Sequence, residues 1–307
     1  MASLPPLIVV AGPTATGKTE LGIRLGEWLV AQGRPATVIS ADSRQVYRGL
    51  DIGTAKVTDA DRRRVPHAGL DLADPDERFA VSDFTAHASG VLDDVGTRGG
   101  VALLVGGTGL YLRAVARGLD LAALPDDPTI RARLEAEFDA EGLEPLATRL
   151  QATAPVLAAE THLANPRRVI RALEIAELRG DGPRPPARGY GAPSTWIGLD
   201  VTGEEHRRRI VRRAREQFDA GLIGEAVALR ERYDPSLPAF SAIGYHEAWA
   251  VADGALTREA AIDQDARRNV AFAKRQRTWF RAEPGVIWLD ATDPFDQALR
   301  LVRSVIR

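Results

Sequence analysis

The segment Gly12-Pro-Thr-Ala-Thr-Gly17-Lys18-Thr19 constrains the fold of this chain more than any other. It fits G-x-x-x-x-G-K-[ST], in which glycines let successive backbone N–H groups converge on phosphate oxygens at a helix N-terminus. The pattern carries weight only between a strand and a helix, and both neighbours are present. Leu7 to Ala11 (LIVVA) is a short continuous apolar run bounded by proline and glycine, which predicts a buried parallel strand. From Thr19 to Leu29 the apolar residues Leu21, Leu25, Trp28 and Leu29 recur at the spacing of one helix face. Gly12, Pro13, Thr14, Ala15, Thr16, Gly17, Lys18 and Thr19 are therefore candidate diphosphate- or nucleotide-binding residues. Lys18 would neutralise phosphate charge, and the Thr19 hydroxyl is a candidate ligand for Mg2+.

Strands at Ala36 to Ser40 (ATVIS) and Val101 to Val105 (VALLV) extend the α/β pattern. Beyond about Leu124 the pattern changes. Asp127 to Gly180 carries helical periodicity without a convincing strand, and the Pro/Gly/Arg stretch Gly180 to Pro193 suits a loop or linker. The sheet resumes at Trp196 to Val201 (WIGLDV), followed by two or three long helices between Glu204 and Arg281, a strand at Val286 to Asp290 (VIWLD) and a terminal helix from Pro294. The expected fold is α/β, a P-loop doubly wound parallel sheet with a helical insertion domain. Residues 1–123 and 194–307 make the core, and 124–193 make the insertion and linker.

Composition narrows the class. A chain of 307 residues, 45 % hydrophobic, buries a substantial core. It has no cysteine, which excludes a disulfide scaffold, a thiolate zinc site and a cysteine nucleophile. The apolar run after the N-terminus is too short for a signal-peptide core, and no stretch approaches the roughly 20 apolar residues of a membrane span. A cytoplasmic protein without a membrane is the expectation. The formal net charge of -2 excludes a uniformly basic surface but says nothing of local patches.

A P-loop most often serves a nucleotide triphosphatase or kinase, in which an Asp ending another apolar strand helps hold Mg2+. Here VALLV runs into Gly106-Gly107-Thr108, with no carboxylate at its tip. The acid at a strand end is Asp42, in Ser40-Ala-Asp-Ser-Arg-Gln-Val-Tyr47. Three readings of it stay open on the residues alone: a Mg2+ ligand, a general base on a second substrate, or a helix N-cap with Ser43.

Six segments together resemble the IPP transferase family, the tRNA dimethylallyltransferases. They are GPTATGKT from Gly12, ISADSRQVYRGLDIGTAK ending at Lys56, LLVGGTGLYLRA ending at Ala114, RRVIRALE ending at Glu174, AIGYHE ending at Glu247 and AKRQRTWFR ending at Arg281. The match spans nearly the whole chain. DSRQVY and GGTGLY at these separations from the loop are far more specific than the loop itself. Val57 and Leu163-Ala164-Asn165 depart from the family pattern at positions away from the presumed chemistry.

The resemblance implies transfer of a dimethylallyl group from dimethylallyl diphosphate to the N6 amine of the adenosine 3′ to the anticodon, in the tRNA anticodon stem-loop. Asp42 would be the general base, with Thr14 and Arg213 assisting departure of diphosphate, and Mg2+ would sit at Thr19. Gln45 would read the extruded adenine edge. Asp42, Ser43, Arg44, Gln45, Thr108, Arg131, Arg167, Arg168 and Arg171 are the expected tRNA contacts, the alternative for Thr108 being a cap on the helix that begins near Leu110.

Other readings share parts of this pattern: a transferase acting on free adenine nucleotide, a small-molecule kinase, and an RNA-binding protein using the loop as a switch. The run His206 to Arg215 cannot lie on one helix face, so some of its Arg must be solvated. Trp196, Trp249, Trp279 and Trp288 read as core residues. The five His show no metal-ligand spacing, and a monomer is expected.

Overall fold

Apolar runs without polar alternation are buried on both faces only inside a parallel sheet that helices cover from either side. A computed structural model, which describes residues 3–121 and 123–306, has this architecture. The chain divides into two compact units, Met1–Arg117 with Tyr190–Arg307, and Gly118–Gly189. In chain order the first unit supplies β1 (Leu7–Ala11), α1 (Lys18–Ala31), β2 (Ala36–Ala41), α2 (Asp59–Arg64), β3 (His67–Ala68), α3 (Val81–Thr97), β4 (Val101–Gly106) and α4 (Gly109–Ala116). The second unit supplies α5 (Pro128–Glu141), α6 (Leu143–Thr153), α7 (Pro155–Ala159) and α8 (Pro166–Arg179). The first then resumes with β5 (Ser194–Asp200), α9 (Gly203–Asp219), α10 (Leu222–Arg230), α11 (Tyr245–Ala252), α12 (Arg258–Arg281), β6 (Val286–Asp290) and α13 (Phe295–Val305).

The six strands are all parallel, in the order β3-β2-β4-β1-β5-β6. Alternate residues of β1 enter opposite cores, as the two-residue period of a strand requires. Leu7, Val9 and Ala11 pack with Phe84, Tyr111, Phe240 and Phe280, whereas Ile8 and Val10 pack with Leu21, Leu25, Leu29 and Val302. Phe84 and Tyr111 stack with centroids 4.2 Å apart. No helix among the described residues is long and apolar enough to cross a membrane.

The strands expected at 7–11 and 286–290 coincide with β1 and β6, and the others differ by one or two residues at an end. Strand β3 escapes sequence reading because two residues show no periodicity. Between Glu204 and Arg281 there are four α-helices, rather than two or three long ones. Gly221 and Gly244, at φ 103° and 111°, take the left-handed backbone that favours glycine and start α10 and α11. Trp196 and Trp249 are buried, but Trp279 and Trp288 are only partly so. Their rings are instead covered by the guanidinium groups of Arg113 and Arg281, at 4.5 and 5.5 Å.

Among its described residues the second unit contains helices and no strand, with Leu134, Leu150, Leu157, Val169 and Leu173 at its centre. Asp127 and Asn165 cap α5 and α8 through their side chains. Glu174, at 0 % exposure, accepts from Asp127 N at 2.8 Å and pairs with Arg131 and Arg171, each at 2.7 Å. Burial alone would raise its pKa, yet the bonds from Arg171 and Arg131 outweigh that and hold it below the ordinary carboxyl value. This stabilisation is fully present above the ordinary value near 4.5 and is lost as the pH falls through the lower folded value. Breaking a fully buried pair costs about 3–5 kcal/mol, and partial exposure of both Arg reduces this. Glu174→Gln should therefore cost about 2 kcal/mol in urea denaturation at pH 7, with the difference from the unsubstituted chain shrinking towards pH 3; equal stability at pH 7 would contradict this account.

Candidate active site

Strand register determines which residues share an edge. Ala11 lies beside Gly106 and Gly198, and Ala41 lies beside Gly106. Gly12, Asp42 and Gly107, the next residue in each case, therefore leave the sheet together at its carboxyl edge, where open α/β sheets bind ligands. Gly12 has φ 148°, and a Cβ there would meet Leu199 O of β5 at 2.6 Å, so the tight departure from β1 requires glycine. Gly17, at φ 87°, turns the chain into α1. The positive end of the α1 dipole then faces the loop.

Lys18 Nζ donates to Pro13 O at 2.6 Å, and Thr16 Oγ1 donates to the same carbonyl at 2.9 Å. Burial lowers the Lys18 pKa to about 7, Arg213 adds to the fall, and Asp42 opposes it. Thr14 is held by all three of its polar groups. Its N–H donates to Gln276 Oε1 at 2.8 Å, and its hydroxyl accepts from Arg213 Nη1 at 2.8 Å. Its carbonyl lies 2.7 Å from His206 Nε2. The donor pattern assigns the histidine tautomer: Arg277 Nη2 lies 3.0 Å from His206 Nδ1, and a guanidinium only donates. The His206 proton is therefore on Nε2, directed at Thr14 O. Burial lowers the His206 pKa below its ordinary value, and the Arg277 charge acts the same way. Arg277 in turn bonds Asp200 at 2.9 Å.

No helix follows Asp42, so the helix N-cap reading is set aside; its Oδ1 instead accepts from Arg44 N at 2.8 Å and turns the chain locally. Ser43 N donates to Thr108 Oγ1 at 3.0 Å, tying this loop to the Gly106-Gly107-Thr108 turn. Thr108 stands at the N-cap position of α4 but makes no side-chain cap bond. Arg44 reaches Pro238 O at 2.9 Å. Gln45 spends its amide within the protein, accepting from Ser40 Oγ at 2.8 Å and donating to Thr54 O at 3.1 Å. In this arrangement it shapes the Asp42 loop. Buried Lys56 braces the loop from behind through Tyr47 O, Asp51 and Asp71.

The expected tRNA contacts separate into two kinds. Arg131 and Arg171 are engaged with Glu174, whereas Arg167 and Arg168 are exposed and pair with no carboxylate among the described residues. On α9, Arg208, Arg209 and Arg212 pair with Glu204, Glu205 and Glu216, while Arg213 turns to the loop. Thr19 is exposed in the first turn of α1, and its hydroxyl has no partner among the described residues. That fits Mg2+ carried on a diphosphate, because this ion keeps several waters and takes few protein ligands. No group of three His, Cys, Asp or Glu that could hold a metal occurs among the described residues.

Sequence reading missed Gln276 and His206. Each occupies a position of its helix's buried stripe, Ala273-Gln276-Phe280 on α12 and His206-Ile210-Ala214 on α9. A polar residue at a core position of an amphipathic helix is the signal that could have found them.

A P-loop at the carboxyl edge of a parallel, doubly wound sheet, with a basic residue and a carboxylate converging on it, defines a phosphate-handling α/β protein. More narrowly, the chain belongs to the IPP transferase family, whose model matches residues 45–283. It is 41 % identical to the tRNA dimethylallyltransferase of Kineococcus radiotolerans in an alignment that covers 97 % of this chain and 95 % of that one. The structure of the tRNA isopentenylpyrophosphate transferase from Bacillus halodurans superposes with a TM-score of 0.70 at 38 % identity, covering 98 % of this chain and 96 % of that one. A eukaryotic dimethylallyltransferase acting on tRNA shares the fold, with a TM-score of 0.76 at 21 % identity over 97 % of this chain and 78 % of that one.

The sequence has only three lysines, Lys18, Lys56 and Lys274, so NMR of labelled lysine side chains resolves them. One resonance should titrate near pH 7 and vanish in Lys18→Arg; a lysine spectrum unchanged up to about pH 9 would refute the assigned environment.

Proposed function

We propose that this chain transfers a dimethylallyl group from dimethylallyl diphosphate to the N6 amine of the adenosine at position 37 of tRNA, releasing diphosphate. The observation that carries the reading is the shared sheet edge from which the phosphate loop and Asp42 both depart, with Arg213 of α9 bonded to Thr14 in that loop. The names of the relatives, tRNA dimethylallyltransferases, support the same chemistry.

The bond broken is carbon–oxygen, so diphosphate is a leaving group. As it departs from the allylic carbon, negative charge grows on its oxygens. Lys18, the loop N–H groups, the Thr14 hydroxyl and Arg213 stabilise that charge. With its pKa near 7, Lys18 takes up a proton as the anion arrives. Mg2+, held on the diphosphate at Thr19, would supply further charge neutralisation. The N6 lone pair is delocalised into the adenine ring, which makes the amine a weak nucleophile. Asp42 accepts its proton as the nitrogen–carbon bond forms. Ser43, Arg44 and Thr108, on the adjoining turns, line the approach of the base. Arg167 and Arg168 contact tRNA phosphates. A monomer in the cytoplasm completes the reading.

The deciding assay supplies labelled dimethylallyl diphosphate with tRNA and, separately, with AMP. Label should enter tRNA; label in AMP alone, or in neither, would overturn the proposal. General-base assistance contributes on the order of 10² to 10⁴ in rate. Asp42→Ala should slow single-turnover transfer by about that factor and leave inorganic pyrophosphate affinity within about threefold. The opposite split, weak pyrophosphate binding at an unchanged rate, would remove Asp42 from the chemistry. If several Arg contact phosphates, tRNA affinity should fall steeply with salt, by about 10-fold or more between 50 and 200 mM. A salt-independent affinity would exclude phosphate contacts as its main source.

A further inference from the structure

Gln276 is buried on α12, and its amide bonds in two directions at once. Oε1 accepts from Thr14 N–H at 2.8 Å, and Nε2 donates to Gly107 O at 2.9 Å. The first partner belongs to the phosphate loop, next to the hydroxyl that Arg213 holds. The second precedes Thr108, whose Oγ1 accepts from Ser43 N beside Asp42. Gly107 leaves just enough room for the amide, since a Cβ there would lie 2.4 Å from Nε2. His206, on α9, steadies Thr14 from its carbonyl side.

We propose that Gln276 is a positioning residue for the transfer, setting the separation between the leaving-group cradle at Thr14 and the base Asp42 without touching either reactant. The inference rests on the transfer reaction proposed above. The two bonds need an acceptor and a donor on one planar group. Glutamate at this position would set a carboxylate oxygen against the Gly107 carbonyl, and methionine would supply neither function. Errors of about 1 Å in the placement of reacting groups cost on the order of 10²-fold in rate.

The test measures kcat, KM for tRNA and inorganic pyrophosphate affinity for the unsubstituted chain, Gln276→Met and Gln276→Glu, each with and without Asp42→Ala. With Asp42 present, Gln276→Met should lower kcat about 10- to 100-fold, with KM and pyrophosphate affinity within about threefold. With Asp42→Ala, the same change should cost less than about threefold, because no base remains to be misaligned. Equal losses in both backgrounds, or a loss confined to KM, would overturn the proposal. Gln276→Glu is isosteric and covers the case in which methionine impairs folding. It should follow the same pattern, and a kcat within about twofold of the unsubstituted value would also overturn the proposal. Failure of the unsubstituted chain to modify tRNA would defeat the reaction and this inference together. An active chain indifferent to Gln276 would defeat this inference alone.

Discussion

The close lateral packing of β1 between β4 and β5 is the constraint on which the site depends. Small residues meet where β1 ends, Ala11 between Gly106 and Gly198, with Ala41 on the far side of Gly106. A Cβ at Gly106 would lie 2.1 Å from Ala41 O, so no other residue allows this approach without backbone movement. The register then delivers Gly12, Asp42 and Gly107 to one edge, and the chemistry is assembled on the loops that these three residues begin. Nothing in the P-loop sequence alone could bring Asp42 alongside.

Much of this was legible in the chain. The loop pattern between LIVVA and an amphipathic run prescribes strand, turn and helix, because each local preference agrees with the next. Absence of a carboxylate after VALLV, with Asp42 after ATVIS, already separated this chain from the usual phosphoryl-transfer arrangement. What stayed hidden was the use of polar side chains at core positions. Gln276 and His206 look like flaws in apolar stripes until the partner backbone groups, on other elements, are known. Gln45 shows the converse. Its residue type suits an adenine edge, but only the fold reveals that its amide is engaged with Ser40 and Thr54.

Arginine illustrates why composition is a poor guide to partners. Arg131 and Arg171 neutralise a buried carboxylate, Arg277 fixes a histidine tautomer, and Arg113 and Arg281 cover indole faces. A fixed planar fork of donors suits each of these tasks. The cationic surface left for a polyanion is therefore smaller than a count of basic residues suggests, in keeping with a slightly acidic chain.

The ties on Thr14 also bear on how the chain reaches its working form. Thr14 and Gln276 are separated by 262 positions, and β1 pairs with β5, which begins only at Ser194. Such distant pairings are slow to form, because the intervening chain must first be closed into a loop. The phosphate loop thus acquires its final geometry only once these long-range contacts have closed. A growing polypeptide that has already exposed its phosphate loop still lacks the side chain that shapes it until α12 has been synthesised.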